Sequence, residues 1–144
     1  MNISRFLGVL MLVFSVLANA ANTRQAFVGQ DYSGVYACTG NDAHEGKYTG
    51  TVTMTLDRNQ STGRYGAYSF KLEVPGFGVY LGQAVGEDGR LAIHFALSEP
   101  STKDYGTGIA TIHKGKDGKF SFNKFYYEPE YKGGNTGTET CAQK

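Results

Sequence analysis

Three side chains that commonly bind divalent metal ions stand close together in one polar stretch of the sequence. They are Asp42, His44 and Glu45, and the residues around them are turn formers. Carboxylate oxygens and imidazole nitrogens are ligands for zinc and related ions, so a metal site is one interpretation of this group. Such a group also arises readily by chance, and no second group of ligands in the sequence completes a site. We therefore predict no metal and no cofactor.

The residue patterns of common hydrolases are missing from the sequence. It contains neither a Gly-x-Ser-x-Gly nucleophile motif nor a His-Glu-x-x-His metalloprotease motif. Glu128 and Glu130 flank Pro129, but two carboxylates in a loop do not define a separation in space. We expect a protein that is not an enzyme. The sequence leaves catalysis open, because acid and base groups can be assembled from distant strands.

A tyrosine-rich stretch, residues 126–135, is the richest candidate binding surface. Tyrosine offers a large, rigid contact area with a polar tip, and tyrosines beside carboxylates and glycines are typical of surfaces that contact proteins or sugars. The residues predicted to bind are Tyr126, Tyr127, Glu128, Glu130, Tyr131 and Asn135. In the alternative, structural interpretation, Tyr126 fills the interior of the fold while Tyr127 and Tyr131 cover its opening.

Alternation of apolar and polar side chains predicts the elements that position these residues. Residues 47–56 are the clearest strand, because Tyr48, Val52 and Met54 alternate with threonines. Similar runs separated by turn signals about every 8 to 12 residues give eight strands, with no helical period. The predicted fold is all-β: an eight-stranded antiparallel meander that closes into a small β-barrel. A tightly closed sandwich is the alternative.

The same alternation predicts which side chains face inward. The inward set is bulky and consists of Tyr48, Met54, Leu56, Tyr68, Phe70, Leu72, Leu81, Ile93, Phe95 and Phe122. An eight-stranded barrel is only just wide enough to be filled by its own side chains, so we expect a filled or nearly filled interior. Two strands are ambiguous. Ile109 and Ile112 have opposite parity, and residues 119–127 carry aromatic side chains on both faces, which suggests a bulge or a strand covered on two sides.

The chain has two cysteines, Cys38 on the first predicted strand and Cys141 on the last. An even pair in an exported chain predicts a disulfide, and a meander whose ends meet would bring these two strands side by side. We therefore expect the first and last strands to be disulfide-linked. A reactive thiol or metal ligand is the alternative, but neither cysteine has a basic or histidine neighbour in sequence.

The beginning of the chain has the pattern of a targeting signal. Arg5 precedes an apolar run at residues 6–17, and Ala18-Asn19-Ala20 fits a cleavage site, so residues 1–20 are predicted to be a signal peptide. Residues 21–30 have no periodicity and are predicted to form a flexible N-terminal arm. Residues 31–144 are predicted to form a single β-barrel domain. The protein should then be exported, either periplasmic or secreted.

Charge is balanced once the signal is removed. The chain has 14 lysines and arginines against 13 acidic residues, and Arg5 leaves with the signal. A neutral protein lacks the basic surface typical of proteins that bind nucleic acid or an anionic membrane. We expect neither partner, and predict an unknown protein or small-molecule ligand instead.

Gly34-Val35-Tyr36, at the start of an eight-strand meander, resembles the opening strand of the calycins, the group of lipocalins, fatty-acid-binding proteins and avidins. Those families open with a Gly-x-Trp strand whose aromatic residue plugs one end of the barrel. Lys47-Tyr48-Thr49-Gly50-Thr51 is similar to the second strand of avidin-like proteins. The resemblance implies the barrel but no biotin site, because the chain contains no tryptophan.

A second resemblance is to periplasmic inhibitors of C-type lysozyme. Those small barrels carry a Tyr-x-Cys near their start and a cysteine near their end, as in Tyr36-Ala37-Cys38 and Cys141. Our expectation from the sequence is an exported, non-enzymatic β-barrel binding protein that uses its loop surfaces. Two alternatives remain: a lysozyme-inhibitor-like inhibitor of a hydrolase, and a carrier of small apolar ligands in a barrel cavity.

Overall fold

The computed structural model describes residues 24–144. The predicted signal peptide, residues 1–20, and residues 21–23 of the predicted arm lie outside the described residues. Eight β-strands follow one another in the described part of the chain, as the alternation of side chains predicts. Their bounds are β1 Gly34–Asp42, β2 Gly46–Leu56, β3 Gly66–Val74, β4 Gly78–Glu87, β5 Arg90–Leu97, β6 Tyr105–Lys114, β7 Phe120–Glu128 and β8 Asn135–Gln143.

Each strand pairs antiparallel with the next, and β1 also pairs with β8, so the sheet closes into a barrel. This confirms the predicted eight-stranded antiparallel barrel and excludes the sandwich. Two single-turn 3₁₀ helices, Pro100–Thr102 and Tyr131–Gly133, lie in the β5–β6 and β7–β8 connections. Among residues 24–144, no helix has the length and apolarity needed to cross a membrane.

The barrel has two chemically different ends. Apolar and aromatic side chains plug one end, here called the closed end, which carries the β2–β3, β4–β5 and β6–β7 connections. There Tyr36 is buried and its hydroxyl donates to the Tyr32 carbonyl at 2.7 Å, while the Tyr32 hydroxyl accepts from the Gly89 N–H at 2.9 Å. Burial raises the pKa of Tyr36 to about 12. Tyr36 is thus one of the buried side chains that plug the closed end.

Local backbone chemistry sets the β4–β5 turn at the closed end. Asp88 and Gly89 are its two central residues and both have positive φ, 45° and 79°. That combination belongs to the type I′ turn, whose twist matches the twist of the paired strands. The Asp-Gly pair in the sequence therefore fixes the register that places Glu87 opposite Arg90.

Residues 24–30 run beside the long β2–β3 connection. The N–H groups of Val28 and Gly29 both donate to the Gly63 carbonyl, at 2.8 and 3.2 Å. The Thr62 hydroxyl donates to the Gln25 carbonyl at 3.0 Å, and the Arg24 guanidinium donates to the Gln60 carbonyl at 2.7 Å. These bonds hold this segment against the closed end.

The disulfide between Cys38 and Cys141 is present, as predicted. The two residues face each other across the β1–β8 pair, with Cα atoms 4.1 Å apart, and both are buried in the barrel interior. The bond spans 103 positions of the chain. It fits a protein that folds in an oxidising compartment.

Strand β4 faces the opposite way from our prediction. Leu81 was expected inside but is 52% exposed, and the inward residues of β4 are Tyr80, Gly82, Ala84 and Gly86. Gly82 pairs with both Phe70 and Phe95, and a Cβ atom there would lie 1.8 Å from the His94 carbonyl oxygen. The neighbouring strands leave no room for a side chain at this point. The register of the closed barrel, and not the number of apolar residues, therefore decides which face of β4 is buried.

The two ambiguous strands are regular. In β6, Gly108, Ala110 and Ile112 face inward, while Ile109 is 64% exposed. Strand β7 pairs continuously with β6 and β8, so the aromatic residues on its two faces do not mark a bulge. Phe125 and Tyr127 lie exposed on the outer wall, and nothing in the described part of the chain covers them.

Two tyrosine rings lie flat over glycines near the other end of the barrel. Tyr48 pairs with Gly40, and Tyr126 pairs with Gly137. A Cβ atom at Gly137 would lie 2.2 Å from the Tyr126 ring, and one at Gly40 would lie 2.1 Å from the Tyr48 ring. Only glycine leaves space for these rings, which explains why the inward positions 40 and 137 of β1 and β8 carry no side chain.

Substituting Gly137 should therefore disturb the Tyr126 ring. We expect Gly137→Ala to destabilise the fold by about 1 to 3 kcal/mol, the usual cost of overpacking a well-packed core. Urea unfolding followed by circular dichroism measures the change. Thr138→Ala, on the exposed face of the same strand, is the control. Equal unfolding midpoints for the two variants would contradict the packing of Tyr126 on Gly137.

Candidate functional site

The end of the barrel opposite the closed end, here called the mouth, holds the candidate site. It carries the β1–β2, β3–β4, β5–β6 and β7–β8 connections. A small cavity of about 40 Å³ opens there. Its apolar wall consists of Leu72, Val74, Phe77, Tyr80 and Phe95, and its polar wall of Asp42, Glu45, Tyr48, Lys124, Tyr126 and Glu128. A buried water needs roughly 10 to 15 Å³ by this measure, so the cavity has room for about three waters.

Asp42 ends β1 and organises the polar wall. One carboxylate oxygen accepts from the backbone N–H groups of His44 and Glu45, at 2.8 and 2.9 Å, which fixes the tight β1–β2 turn. The other accepts from the Tyr126 hydroxyl at 2.8 Å and the Asn135 amide at 2.6 Å. Burial alone raises the pKa of Asp42, but these four hydrogen bonds outweigh it and hold that pKa below its usual range. Asp42 is therefore a carboxylate at neutral pH.

Glu128 ends β7 and has the opposite protonation behaviour. Its carboxyl group accepts from the Asn135 amide, which thus bridges Glu128 and Asp42. Burial raises the pKa of Glu128 to about 7, and the negative charges of Asp104 and Asp42 add to this effect against the Asn135 hydrogen bond. Burial also raises the pKa of Asp104, which accepts from the Tyr80 hydroxyl at 2.9 Å. Glu128 and Asp104 hold a proton more readily than ordinary carboxylates do.

A buried ion pair lies below the mouth. Lys124 Nζ is 2.6 Å from Glu139 Oε2, and the two side chains are 1% and 0% exposed. The Lys124 ammonium also lies 5.1 to 5.4 Å from the centres of the Phe70, Phe95 and Tyr126 rings, within the range of cation–π attraction. Its stem covers Gly108. The centre of the barrel is thus occupied by the chain's own ammonium group.

Two other lysines, which stand in the β5–β6 and β7–β8 connections at the mouth, are paired at its rim. Lys103 lies 3.1 Å from Glu130, and Lys132 contacts Glu45. Within residues 24–144, no ion pair with a lysine or arginine involves Asp42, Asp104 or Glu128 (8%, 7% and 4% exposed). Neutral donors alone stabilise these three carboxyl groups, so the mouth has more buried acidic groups than cations.

The six predicted binding residues do not form one surface. Tyr126, Glu128 and Asn135 are buried in the mouth, so Tyr126 fills the interior as the structural interpretation had it. The Tyr131 hydroxyl donates to Glu45 at 2.7 Å over the rim. Two residues lie outside: Tyr127 on the outer wall, and Glu130 at the surface, where it accepts from Tyr105. The structure brings three of the six together and does not test their role in binding.

The residues first considered as metal ligands have different partners. Asp42 accepts hydrogen bonds from backbone N–H groups of the β1–β2 turn, and His44 Nε2 lies 3.2 Å from the Gly134 carbonyl oxygen. Glu45 accepts from Tyr131 and Lys132. In residues 24–144 the single group of three potential ligand atoms within 4.8 Å of one another is Cys38, Glu139 and Cys141, and its sulfurs form the disulfide.

Sequence reasoning missed Lys124, Glu139, Asp104 and Tyr80 as members of the mouth. Lys124 could have been found, since alternation along β7 places it on the same face as Phe122 and Tyr126. Asp104 stands in an irregular connection, and no periodic signal indicates that it turns inward.

The fold and the mouth together define the class of this protein as a closed, eight-stranded antiparallel β-barrel with one plugged end and one acidic end. No protein-family model, curated protein or solved structure matches the chain. The function is therefore argued from the geometry of the mouth.

Proposed function

We propose that this protein is an exported, non-enzymatic, calycin-like binding protein that holds its ligand at the mouth of the barrel. The disulfide supports export to the periplasm or the extracellular space, because such bonds persist in oxidising compartments. The ligand is a small molecule or an exposed group of a partner protein. Nucleic acid and membrane surfaces are not proposed as partners, since the charges of the exported chain balance.

The main support for this proposal is that an apolar wall and an acidic wall face each other across the cavity of the mouth. Leu72, Val74 and Phe77 form an apolar wall opposite Asp42 and Glu128. Binding sites are typically apolar concavities with a few polar groups that orient the ligand. Here the polar groups are held in place by hydrogen bonds from Tyr126 and Asn135, so little ordering is needed when a ligand arrives.

A carrier that encloses a large apolar ligand fits the barrel less well. Pockets for drug-sized ligands are typically about 300 to 1,000 Å³, whereas the cavity at the mouth is about 40 Å³. Phe70, Phe95 and Phe122 fill the lumen together with the Lys124 ammonium. The mouth accepts a small group, not a long chain.

Inhibition of a hydrolase is the second candidate, and the rigid rim favours it. Tyr131 and Lys132 both bind Glu45, which ties the β7–β8 connection to the β1–β2 turn. Tyr105 and Lys103 both bind Glu130, which ties the same connection to the β5–β6 side. Loops fixed before binding lose little entropy in a complex, as tight protein inhibitors require.

Tyr127, near the end of β7, and Tyr131, in the β7–β8 connection, provide a test. We expect Tyr127→Ala and Tyr131→Ala each to weaken binding to a captured partner by about 2 kcal/mol or more, the usual cost of truncating a tyrosine hot spot, with little change in melting temperature. The partner is captured on immobilised protein from an extract of the compartment in which the protein resides, and retention is compared between variants.

Tyr65→Ala is the matched control for this experiment. Tyr65 is 46% exposed, as Tyr127 is, but it lies in the β2–β3 connection at the closed end. Its substitution should leave binding unchanged. Equal retention by all three variants would show that neither Tyr127 nor Tyr131 contacts the partner.

A further inference from the structure

The buried carboxyl groups of the mouth lack a positive charge to balance them. Lys103, Lys124 and Lys132 are each paired with another acid, namely Glu130, Glu139 and Glu45. Asp42, Asp104 and Glu128 remain, all buried and stabilised by neutral donors. Burying a carboxylate is costly unless hydrogen bonds, a proton or a cation compensate for it. Asp42 has four hydrogen bonds, whereas within residues 24–144 the carboxyl groups of Glu128 and Asp104 each accept from a single neutral donor.

Two buried oxygen atoms in the same cluster have no hydrogen-bond donor while Glu128 is ionised. In the described part of the chain, Asp104 Oδ1 and Asn135 Oδ1 are buried acceptors without a partner. The Asn135 side chain lies between Asp42 and Glu128, which both line the cavity. Buried polar atoms are satisfied in the great majority of structures, and each exception needs an explanation. Neither residue lines the cavity itself, but both are buried next to the Glu128 carboxyl group that does, so their acceptor oxygens add to the negative potential that a cationic ligand would meet.

The size and lining of the cavity restrict the cation. Room for about three water-sized groups admits an ammonium with a short apolar stem, and Leu72, Val74 and Phe77 supply a wall for that stem. A planar guanidinium is larger and prefers a paired, fork-like carboxylate contact. A metal ion is not proposed, because no three histidine, cysteine or carboxylate ligand atoms of the mouth lie within 4.8 Å of one another in residues 24–144.

Lys124 shows that this barrel already accommodates an ammonium group. Its charge rests against Glu139 and three aromatic rings, with its apolar stem along Gly108. Phe95, Tyr126 and Lys124 also line the cavity of the mouth. The mouth, which lies further out along the barrel axis, has a similar arrangement, with acidic side chains on one side and apolar side chains on the other. Its buried acids, however, have no lysine of the described chain paired with them.

We propose that the mouth binds a primary ammonium group on a short apolar stem, between Glu128 and Asp42 on one side and the wall around Phe77 on the other. This inference rests on the binding function proposed above and names its ligand class. The ammonium belongs either to a free alkylamine or to a lysine side chain of a partner protein.

Protonation of Glu128 should compete with the ammonium. The groups that face Glu128 are Asp104 from the β5–β6 connection, Asp42 from β1, Asn135 from β8 and Tyr80 from β4. Because the pKa of Glu128 is raised to about 7, its carboxyl group is mostly protonated at about pH 6 and mostly ionised at about pH 8. An alkylammonium stays protonated at both because its pKa is near that of lysine. Amine affinity should therefore rise with pH over this range.

The test is a titration of the ¹⁵N-labelled protein with n-propylamine hydrochloride, followed by amide NMR shifts at constant ionic strength. We expect saturable shifts of mouth residues with propylamine and none with 1-propanol or sodium propionate. A second titration, with Nα-acetyl-lysine methylamide, distinguishes the two possible origins of the ammonium group. Tighter binding of this compound indicates a lysine side chain of a partner, and tighter binding of propylamine indicates a free amine. Either result supports the inference.

Variants test whether the amine binds at the mouth. Glu128→Gln should weaken propylamine binding about tenfold or more and remove its pH dependence, because charge-assisted hydrogen bonds are the strong ones. Glu73→Gln, an acid on the outer face of β3 at the same end, should have no effect. Phe77→Ala, at an exposed position of the cavity wall, should weaken binding several-fold through loss of apolar contact and keeps the test usable if Glu128→Gln does not fold.

Three results would overturn the inference: no saturable shifts with either amine, equal shifts with 1-propanol, or unchanged affinity in folded Glu128→Gln or Phe77→Ala. The binding function is judged separately. If the amines fail but partner capture still depends on Tyr131 and not on Tyr65, the ligand class is wrong and the binding function stands. If capture also loses this dependence, both proposals fail.

Discussion

Lys124→Met should destabilise the protein by about 3 to 5 kcal/mol, the usual cost of removing one partner of a buried ion pair. Methionine matches the length of the lysine stem, so the loss reflects the uncompensated Glu139 carboxylate more than an empty space. The variant also loses the attraction of the ammonium to the Phe70 and Phe95 rings. Urea unfolding at neutral pH, followed by tyrosine fluorescence and circular dichroism, measures the change.

A double variant and an exposed control make this experiment specific. Lys124→Met combined with Glu139→Gln should recover much of the lost stability, because the neutral amide can still accept from the Tyr48 hydroxyl, which lies 3.1 Å from Glu139. Lys114→Met is the control, since Lys114 also lies over an aromatic ring, that of Phe120 at 5.6 Å, but is exposed. A single variant no less stable than Lys114→Met would contradict a stabilising role for the buried pair.

Removal of the disulfide should have an effect of similar size. Closing a loop of about 100 residues is worth up to ~4.7 kcal/mol in the chain-entropy model, and the bond here spans 103 positions. Because each kcal/mol lowers the melting temperature of a domain of this size by several degrees, we expect a fall on the order of 10 to 25 °C. The variant is Cys38→Ala with Cys141→Ala, since serine hydroxyls would be buried at these positions.

The β content of the double alanine variant should survive at low temperature. Seven residue pairs join β1 to β8 through backbone hydrogen bonds, so closure of the barrel does not depend on the covalent bond alone. Far-ultraviolet circular dichroism tests this. Intact-mass measurement after alkylation of the native protein tests the bond, and two reactive thiols without prior reduction would contradict it.

The fold was largely predictable because its main signal is local. Alternation along each strand reveals eight strands, and the position of Cys38 and Cys141 on the first and last strands indicates how they close. The error at Leu81 has a physical cause: Gly82 faces inward and offers no apolar signal, so the visible apolar residues of β4 were assigned to the wrong face. The sequence of a single strand shows which of its two faces is buried only when the inward-facing residues are large.

The mouth was predictable only in part, because it depends on register between distant strands. Tyr126 meets Asp42 across 84 positions of the chain, and Asn135 meets Asp42 across 93. Nothing in the order of residues marks such pairs before the strands are aligned. Residues 126–135 were predicted to bind because of their composition. In the structure, however, Tyr126 and Asn135 are buried in the barrel, and Tyr127 lies exposed on the outer wall, two positions along the strand from Phe125.

The disulfide also determines how the protein carries mechanical load. Cys38 and Cys141 lie near the two ends of the described chain, and their bond joins the first and last strands directly. Tension applied to the two ends would pass through this bond, because a covalent bond is far stiffer than a hydrogen-bonded ladder. The strands between the cysteines would carry none of that tension, and a single proteolytic cut in any connection between them would leave both fragments covalently attached.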